Sequence, residues 1–353
     1  MFRNQSYNSL KAFLLAVVLL LGVGKAEAAM YTVHNIAGFD ADFYSIQDAI
    51  NGASAGDTIY LHGSPLNFGA AAIDKPLCIF ASGFFLNAND TTLVKKYAAT
   101  VTTLDFNVGS SGTVVYGLTV AKDVDIKVDD IKLMRCHIFS GEQVLVDIKN
   151  NVSNILVAQC IIHLQSNTSS SSYRCISLTG NNNLIQIVNN LIIRGNSDNG
   201  SYDYAIYSPS NSFARITNNV IVGSWETHSG YINNNIHASG DFSGQYNSLF
   251  SNISHSTWFG TNQGNLANVS MSSVFLQGLS GQTYDMGGYW EVAGASVAIG
   301  AGQGGSDCGV FSGNLSWKRS GLAPIPAIFD ASIPSSGSAT SGMDIILNIK
   351  SHR

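Results

Sequence analysis

The chain is poor in charged residues. Asp, Glu, Lys and Arg make up only 12% of its 353 residues, and the formal net charge is −5. Proteins that bind nucleic acid need clustered Lys and Arg to neutralise phosphates, so this composition argues against a nucleic-acid partner. Hydrophobic residues make up 45% of the chain, which leaves Asn, Ser, Thr and Gly to cover much of the surface.

Other familiar features are also missing. The chain has five Cys, and this odd count excludes a disulfide framework that pairs them all. The eight His do not recur at metal-ligand spacing, so no metal site is predicted. Beyond the N-terminal region, no stretch is apolar enough to span a membrane.

The N-terminal region resembles a signal peptide. Arg3 and Lys11 precede the apolar run Phe13 to Val23, and Ala26-Glu27-Ala28 offers a small-x-small cleavage site. The run is shorter than the ~20 residues that span a bilayer. We therefore predict that residues 1–28 are removed and that the mature protein is secreted, either to the periplasm or outside the cell. Removing three basic residues and one acidic residue leaves 15 and 22, a mature net charge of −7.

Short apolar segments recur around two-residue corners in the middle of the chain. The second corner residues follow one another at steps of 24, 30, 29 and 29: Cys136, Cys160, Asn190, Asn219 and Ser248. An apolar strand residue stands twelve positions before each corner: Val124, Ile148, Leu178, Tyr207 and Ile236. A period in this range is typical of solenoids. These two sets of recurring positions predict an all-β, single-stranded parallel β-helix with three strands in each coil over residues 29–275.

A helix is predicted ahead of the first coils. Ser45 is a suitable N-cap residue, and Ile46, Ala49, Ile50 and Ala53 share one helical face. We expect this helix to cap the solenoid. Residues 276–353 are less periodic, and we expect them to form a closing segment packed on the last coils, because an open solenoid end invites aggregation.

Several of these segments resemble a known superfamily. The stretches Phe43 to Leu61, Ile73 to Phe84 and Gly117 to Val120 resemble the opening of pectate-lyase-like proteins, and Gly294 to Gly302 resembles the closing segment of secreted bacterial β-helix repeat proteins. The resemblance implies a right-handed β-helix whose ligand lies along the strand face that follows the long corners. This fold carries lyases, hydrolases, esterases and adhesins, so it does not decide the activity.

Three long corners border the implied ligand face: His163 to Arg174, Arg194 to Asp203, and Gly223 to Gly230. With Ile148, Leu178, Tyr207 and Ile236 taken as inward, alternation places four residues outward: Asp147, Ser177, Ile206 and Asn235. The candidate catalytic residues are Arg174, Asp147, Asp203, Glu226 and His228. The candidate ligand-binding residues are Tyr173, Tyr202, Tyr204, Trp225 and Asn235. The aromatic residues offer flat faces for sugar rings, although such residues also pack long corners onto a solenoid.

Three functions remain open from the sequence. The first is an exported, non-catalytic protein that binds a polysaccharide or cell-surface glycan in the groove or serves in adhesion, the second is a polysaccharide lyase or glycoside hydrolase, and the third is a structural surface protein. Uronate lyases of the pectate-lyase-like superfamily need carboxylates for Ca²⁺ and an Arg or Lys base. The nearest set is Asp123, Asp125, Asp129 and Asp130, whose spacing is not a calcium motif. No cofactor is therefore predicted, and Ca²⁺ is kept as an alternative.

Overall fold

The computed structural model describes residues 28–86, 96–165, 172–194, 203–209, 212–277, 290–318, 321–338, 340 and 342–351. The predicted signal peptide, residues 1–28, and the candidate Tyr202 lie outside these ranges, apart from Ala28 itself. No helix of the described ranges is long and apolar enough to cross a membrane.

The described residues form one α-helix, α1 (Ile46–Gly52), and 28 strands. The strands are β1 (Met30–Val33), β2 (Thr58–Leu61), β3 (Ala71–Ile73), β4 (Cys78–Ala81), β5 (Thr100–Val101), β6 (Leu104–Phe106), β7 (Val114–Tyr116), β8 (Thr119–Val120), β9 (Val124–Ile126), β10 (Lys132–Met134), β11 (His137–Ser140), β12 (Val144–Ile148), β13 (Ser153–Ala158), β14 (Ile161–Leu164), β15 (Arg174–Leu178), β16 (Asn183–Val188), β17 (Leu191–Arg194), β18 (Tyr204–Ser208), β19 (Ala214–Thr217), β20 (Val220–Val222), β21 (Trp225–Thr227), β22 (Tyr231–Asn233), β23 (Ile236–Ser239), β24 (Phe242–Ser243), β25 (Ser248–Phe250), β26 (Ile253–Ser254), β27 (Pro326–Ser332) and β28 (Ile346–Ser351).

Three parallel sheets wind around one core. Sheet A has the order β1-β2-β4-β7-β10-β13-β16-β19-β22-β25, sheet B the order β24-β21-β18-β15-β12-β9-β6-β3, and sheet C the order β26-β23-β20-β17-β14-β11-β8-β5. The regular coils add one strand to sheet A, then one to sheet C, then one to sheet B, as β10, β11 and β12 do. The predicted parallel β-helix is therefore confirmed, and a right-handed coil is the sense expected of parallel crossovers.

The core is built from side chains that stack in the same position on successive coils. Ile138, Ile162, Ile192 and Ile221 are register partners along sheet C and are fully buried. Burial of one such side chain contributes roughly 1.5–3 kcal/mol. Because strands buried on one face repeat this pattern on every coil, the apolar positions recur at the coil period in the sequence.

The helix α1 forms where the sequence predicts it. The side-chain oxygen of Ser45 accepts a hydrogen bond from the Asp48 backbone N–H, and Ile46, Ala49 and Ile50 are buried. These three residues belong to the same apolar cluster as the first coils. The Lys75 ammonium donates to the Ile50 carbonyl at 2.9 Å, which satisfies an acceptor in the last turn of the helix.

A ladder of side chains lies inside the two-residue corners between sheets A and C. The backbone N–H of each corner residue donates to the side-chain oxygen of the next corner residue, from Cys160 to Asn190 at 2.9 Å, Asn190 to Asn219 at 2.8 Å and Asn219 to Asn235 at 2.9 Å. The rungs continue to Asn252 and Asn265. All these Asn are buried, so the corner positions predicted through Asn219 are real structural equivalents.

The predicted corner at Ser248 is wrong. After Asn219 the coils shorten, and the next rungs, Asn235 and Asn252, follow at steps of 16 and 17 residues. Ser248 instead begins β25 in sheet A, and Ile236 begins β23 in sheet C rather than lying in sheet B. The physical reason is the loss of the long corner, because only Gly223 and Ser224 separate β20 from β21.

The segment after the last coil covers the outer face of sheet C. That face is apolar, with Ile161, Leu191 and Val220 outward, and it packs against Trp290 and Val310 in a second buried cluster. We predicted that residues 276–353 pack on the last coils. The described part of this segment also reaches the earlier coils, as the corner hydrogen bonds show.

The first residues of the tight corners hold this segment in place. Their backbones have positive φ, for example 51° at Arg135 and 54° at Asn189, so their side chains point away from the ladder. Asn189 donates to the Val310 carbonyl at 2.8 Å, and Arg135 donates to the Leu322 carbonyl at 2.6 Å. The segment therefore runs back along the corner ridge, opposite to the order of the coils.

Replacing Cys160 by Asn should stabilise the fold. Cys160 Sγ accepts from the Cys136 N–H at 3.4 Å and lies 3.5 Å from the Leu133 carbonyl. One coil later, the amide of Asn190 makes the equivalent bonds to the Cys160 N–H and the Val157 carbonyl. An amide is the stronger partner, so we expect a gain of about 1 kcal/mol. Urea denaturation measures this gain in the free energy of unfolding. A loss of stability would show that the ladder does not extend to this coil.

Candidate functional site

The outer face of sheet B carries one row of polar and aromatic side chains. In register order the row is Asp105, Asp125, Asp147, Ser177, Tyr207 and Glu226. Adjacent rungs of parallel strands lie about 4.8 Å apart. Neighbouring side chains in the row are therefore close enough to interact directly, although Ser177 itself is only 1% exposed.

The predicted orientation of this row holds for Asp147 and Ser177 but is wrong one coil later. Tyr207 pairs with Ser177 and points outward, whereas Ile206 pairs with Ile176 and is fully buried. Leu178 precedes the corner residue Asn190 by twelve residues. Ser208, the structural equivalent of Leu178 on the next coil, precedes the corner residue Asn219 by only eleven. The connection from sheet B to sheet A is thus one residue shorter, and a shift of one residue exchanges the two faces of a strand.

An arginine and two tyrosines stack against one another on the later coils. The Arg174 guanidinium lies 3.6 Å from the centre of the Tyr207 ring, and the Tyr204 and Tyr207 rings stack with centroids 4.9 Å apart. Arg174 also donates to the Ser177 hydroxyl at 3.3 Å. We call Arg174, Tyr204 and Tyr207 the tyrosine–arginine platform. Its three residues are partly exposed, so the platform is open to a ligand.

Two further candidates, Glu226 and His228, border the platform. His228 Nε2 lies 3.3 Å from Glu226 Oε1. Burial raises the pKa of Tyr204 to about 12, and the neighbouring Glu226 carboxylate contributes in the same direction. The Tyr204 phenol is consequently a neutral hydrogen-bonding group at physiological pH, not a base. The structure thus brings four of the predicted site residues together: Arg174, Tyr204, Glu226 and His228.

The earlier coils carry alternating carboxylates and lysines on the same face. Lys127 Nζ lies 2.9 Å from Asp105 and 3.7 Å from Asp125. Lys149 Nζ lies 3.1 Å from Asp125 and 2.5 Å from Asp147. We call these five residues the carboxylate–lysine ladder. Sequence reasoning missed it, although the repeated Asp-x-Lys at 125–127 and 147–149 is a signal that could have revealed it.

The carboxylates of the ladder keep its lysines protonated. The hydrogen bond to Asp105 is the main cause that raises the pKa of Lys127. For Lys149, burial alone would lower the pKa, but hydrogen bonds to Asp147 and Asp125 outweigh it and the net pKa is raised. An ammonium with a raised pKa cannot accept a proton at neutral pH, so neither lysine is available as a general base in this arrangement.

A cleft of about 410 Å³ adjoins the ladder and is lined by Asp123, Asp125, Asp147 and Glu142. Burial, followed by repulsion from Asp125 and Asp105, raises the pKa of Asp123. The other two acids of the predicted set lie elsewhere, since Asp129 and Asp130 accept hydrogen bonds from Ser153 and Asn154 at the corner to sheet A. Within the described ranges, no group of three or more His, Cys, Asp or Glu could hold a metal ion.

Asp203 is not the exposed acid that its place in a long corner suggested. Its carboxylate pairs with Arg194 at 2.6 Å, and the two side chains are only 4% and 2% exposed. The other Asp203 oxygen accepts from the Tyr173 N–H at 3.0 Å. Tyr173 packs against the core, and the Arg194 guanidinium lies 5.6 Å from its ring centre. This pair ties together the base of the long corner instead of facing a ligand.

Trp225 and Asn235 also leave the predicted binding surface. Trp225 is fully buried and packs against Phe242, with ring centroids 4.7 Å apart. It pairs with the inward Ile206 in sheet B. Asn235 is a buried rung of the corner ladder, where its Nδ2 donates to the Ile216 carbonyl at 2.8 Å. Both errors follow from the shortened coil after Asn219.

Comparisons with known proteins give one structural likeness. No family model matches the chain, and no curated protein matches it. Among solved structures, the chain is similar to the one described as the crystal structure of pectate lyase Pel9A, with 13% identity, a TM-score of 0.41, and coverage of 83% of this chain and 98% of that chain. The chain folds as a parallel β-helix. This assignment rests on the strand pairing of the chain itself.

Proposed function

We propose that this protein is exported and binds a glycan on the outer face of sheet B without cleaving it. The observation that carries the proposal is the tyrosine–arginine platform, with the Arg174 guanidinium 3.6 Å over the Tyr207 ring and Tyr204 stacked beside it. The signal-peptide pattern of residues 1–28 supports export. The parallel strands supply a rigid base for an extended ligand.

The platform suits a sugar ring for two reasons. The apolar face of a sugar stacks on flat, amphipathic aromatic side chains, and two neighbouring tyrosines provide such a surface. An arginine presents five N–H donors in a fixed plane. The Arg174 side chain is partly exposed, and it forms no ion pair with a carboxylate of the described residues. Donors therefore remain for hydroxyl or carboxylate oxygens of a ligand.

The charges of the face favour binding over catalysis. A lyase that removes a proton from a uronate needs an unprotonated base, and a lysine serves as one only when its amine is neutral. The carboxylates of the ladder raise the pKa of both its lysines, and the Arg174 guanidinium lies 3.6 Å from the Tyr207 ring centre. These features support a surface that recognises a ligand rather than one that deprotonates it.

A polysaccharide lyase or hydrolase is the second candidate. It is favoured by the position of Lys127 and Lys149 directly beside carboxylates on the ligand face, and by the raised pKa of Asp123 in the adjoining cleft. A cation held by Asp125 and Asp147 would compete with the lysines and free them for proton transfer. Added Ca²⁺ should then produce cleavage of the glycan. This result would distinguish the enzyme from a protein that only binds the glycan.

Binding should depend on the platform. We expect Tyr207→Ala and Tyr204→Ala each to weaken the affinity for a glycan by about 1–2 kcal/mol, the usual range for losing an aromatic anchor. If the ligand is a uronate, Arg174→Ala should weaken binding at least as much and make it less dependent on salt, whereas for a neutral glycan its effect should be smaller. A glycan panel followed by titration calorimetry measures these changes.

A matched control lies on sheet A, where the Arg215 guanidinium is 5.5 Å from the Tyr231 ring centre. Arg215→Ala and Tyr231→Ala should leave glycan binding unchanged. Equal losses for both Arg–Tyr pairs would contradict the proposal. An assay for unsaturated uronates or reducing ends, with and without Ca²⁺, completes the test. Formation of either product would favour the enzyme. If the protein neither binds nor cleaves any glycan of the panel, a structural role is left.

A further inference from the structure

A second concave site lies away from sheet B, beside the tight corners of the first coils. One of its walls is a continuous series of rings. The His34 ring stacks on Phe39 at 3.8 Å, the His34 and His62 rings lie 6.0 Å apart, and His62 meets Tyr60 edge-on at 4.9 Å. His34 is buried, and His62 and Tyr60 are partly exposed. The wall thus offers ring surface with polar atoms at its edges.

The opposite wall comes from the C-terminal segment and is aliphatic. Leu322, Ala323 and Ile325 line it, and Pro326, Ala327 and Ile328 of β27 extend it. The Arg135 guanidinium, which donates to the Leu322 carbonyl at 2.6 Å, anchors this wall to the corner ridge. None of the lining residues belongs to sheet B, so this site is independent of the proposed glycan surface.

The size and chemistry of the slot limit its ligand. Its volume is about 520 Å³, which falls in the range of small-molecule sites, roughly 300–1,000 Å³. An apolar cavity of about 150 Å³ already accepts benzene, so this slot has room for a ring with a substituent. A ring wall beside an aliphatic wall favours a flat ligand. The polar groups of His62, Tyr60, Asp40 and Ser82 in the lining favour a ligand that carries a hydrogen-bonding group.

We propose that the slot between the His34–Phe39–His62–Tyr60 wall and the Leu322–Ile328 segment binds a small phenolic compound. The aromatic ring lies between the two walls, and its hydroxyl group faces His62 and Tyr60. Aromatic rings prefer offset-stacked or edge-to-face contacts, and the His62–Tyr60 pair already shows the edge-to-face geometry. The aliphatic wall supplies the remaining apolar contact.

The probe for this site is p-cresol, compared with 4-methylcyclohexanol, which has the same polar group and a similar size but is not flat. Saturation-transfer NMR and titration calorimetry on the full protein should give a p-cresol dissociation constant on the order of 0.1–1 mM, the scale expected of so small a ligand. 4-Methylcyclohexanol should bind at least about threefold more weakly, because it loses the ring contacts.

Three variants locate the binding. Ala327→Trp should fill the slot and weaken p-cresol binding more than about tenfold, whereas Ala331→Trp, on the same strand but outside the slot, should leave it within about twofold. His62→Phe keeps the ring wall but removes the polar group, so it should weaken p-cresol binding about three- to tenfold and affect toluene little. His62→Phe keeps the test decisive should Ala327→Trp fail to fold.

Several outcomes would overturn the proposal. These are the absence of saturable p-cresol binding, equal affinity for the two probes, and wild-type affinity in a folded Ala327→Trp variant. A His62→Phe variant that binds p-cresol as tightly as the wild type would also contradict the assigned orientation. Weak glycan binding in the same preparations would not bear on this result, because the two sites share no residue.

Discussion

Replacing Asp203 by Asn is expected to lower the free energy of unfolding by about 3–5 kcal/mol, the usual cost of breaking a buried ion pair. Arg194 and Asp203 are only 2% and 4% exposed, and their charged atoms lie 2.6 Å apart. Asn keeps the shape of Asp203 but removes its charge, so the buried Arg194 guanidinium loses this carboxylate as an ion-pair partner. Urea denaturation followed by circular dichroism measures the loss.

The ladder on sheet B supplies a matched control for this prediction. Asp105→Asn also removes a carboxylate from an ion pair, but the Asp105 and Lys127 side chains are 32% and 36% exposed. Exposed pairs contribute only about 0–1 kcal/mol, so this variant should remain close to the wild type. The double variant Arg194→Met with Asp203→Leu should recover part of the loss. If Asp203→Asn were no more destabilising than Asp105→Asn, the buried pair would not have the role assigned to it.

The same pair has a consequence for the binding face. Arg194 ends β17 in sheet C and Asp203 directly precedes β18, the strand that carries Tyr204 and Tyr207. Asp203 also accepts from the Tyr173 backbone N–H, which ties the start of β15 to the start of β18. Loss of the ion pair should therefore weaken glycan binding as well as lower the free energy of unfolding, although both side chains are buried.

Replacing Asn219 by Ala should cost about 3–5 kcal/mol as well, through several broken bonds in the corner ladder. Its side-chain oxygen accepts from the Asn190 N–H at 2.8 Å and from the Asn190 amide at 3.1 Å. Its own amide donates to the Ile187 carbonyl at 2.8 Å and to Asn235 Oδ1 at 3.0 Å. All these groups are buried, and each one left without a partner costs about 1–3 kcal/mol. Equilibrium unfolding in urea gives the value.

Two controls separate the ladder from a general effect of losing an amide. Asn183→Ala removes an exposed Asn from β16 and should change stability by less than about 0.5 kcal/mol. Asn219→Asp keeps an acceptor for the Asn190 N–H and, when its carboxyl group is protonated, offers one O–H donor in place of two N–H donors. At such pH values its stability should lie between those of the wild type and the Ala variant. Stability unchanged in Asn219→Ala would refute the ladder.

The regular part of the fold could be predicted because its apolar rows repeat at a nearly fixed period. Cys160, Asn190 and Asn219 are equivalent in the sequence and in the structure. The prediction failed where the coil lost its long corner at Gly223 and Ser224, because no local pattern marks a deletion of about a dozen residues in a repeat. Trp225 was consequently assigned to a long corner, although it lies in the core.

The site could be predicted where the alternation of inward and outward residues along a strand determines which side chains face out. Asp147 and Arg174 lie on sheet B at the proposed ligand face because the coil period holds around them. Asp203 looked like an exposed acid, since the sequence does not show that Arg194, nine residues earlier, returns to pair with it. The pairing of Lys127 and Lys149 with three aspartates needs the lateral stacking of coils, which becomes visible only when neighbouring coils are aligned.

The most direct measurement of the central claim is a crystal structure of the protein with the oligosaccharide that binds best in the glycan panel. We predict a sugar ring on the outer face of sheet B, stacked on Tyr204 or Tyr207, with a hydroxyl or carboxylate oxygen within hydrogen-bonding distance of Arg174, and the glycan intact. A glycan bound on another face, such as along Phe80 and Tyr116 of sheet A, or a cleaved product beside the carboxylate–lysine ladder, would contradict it.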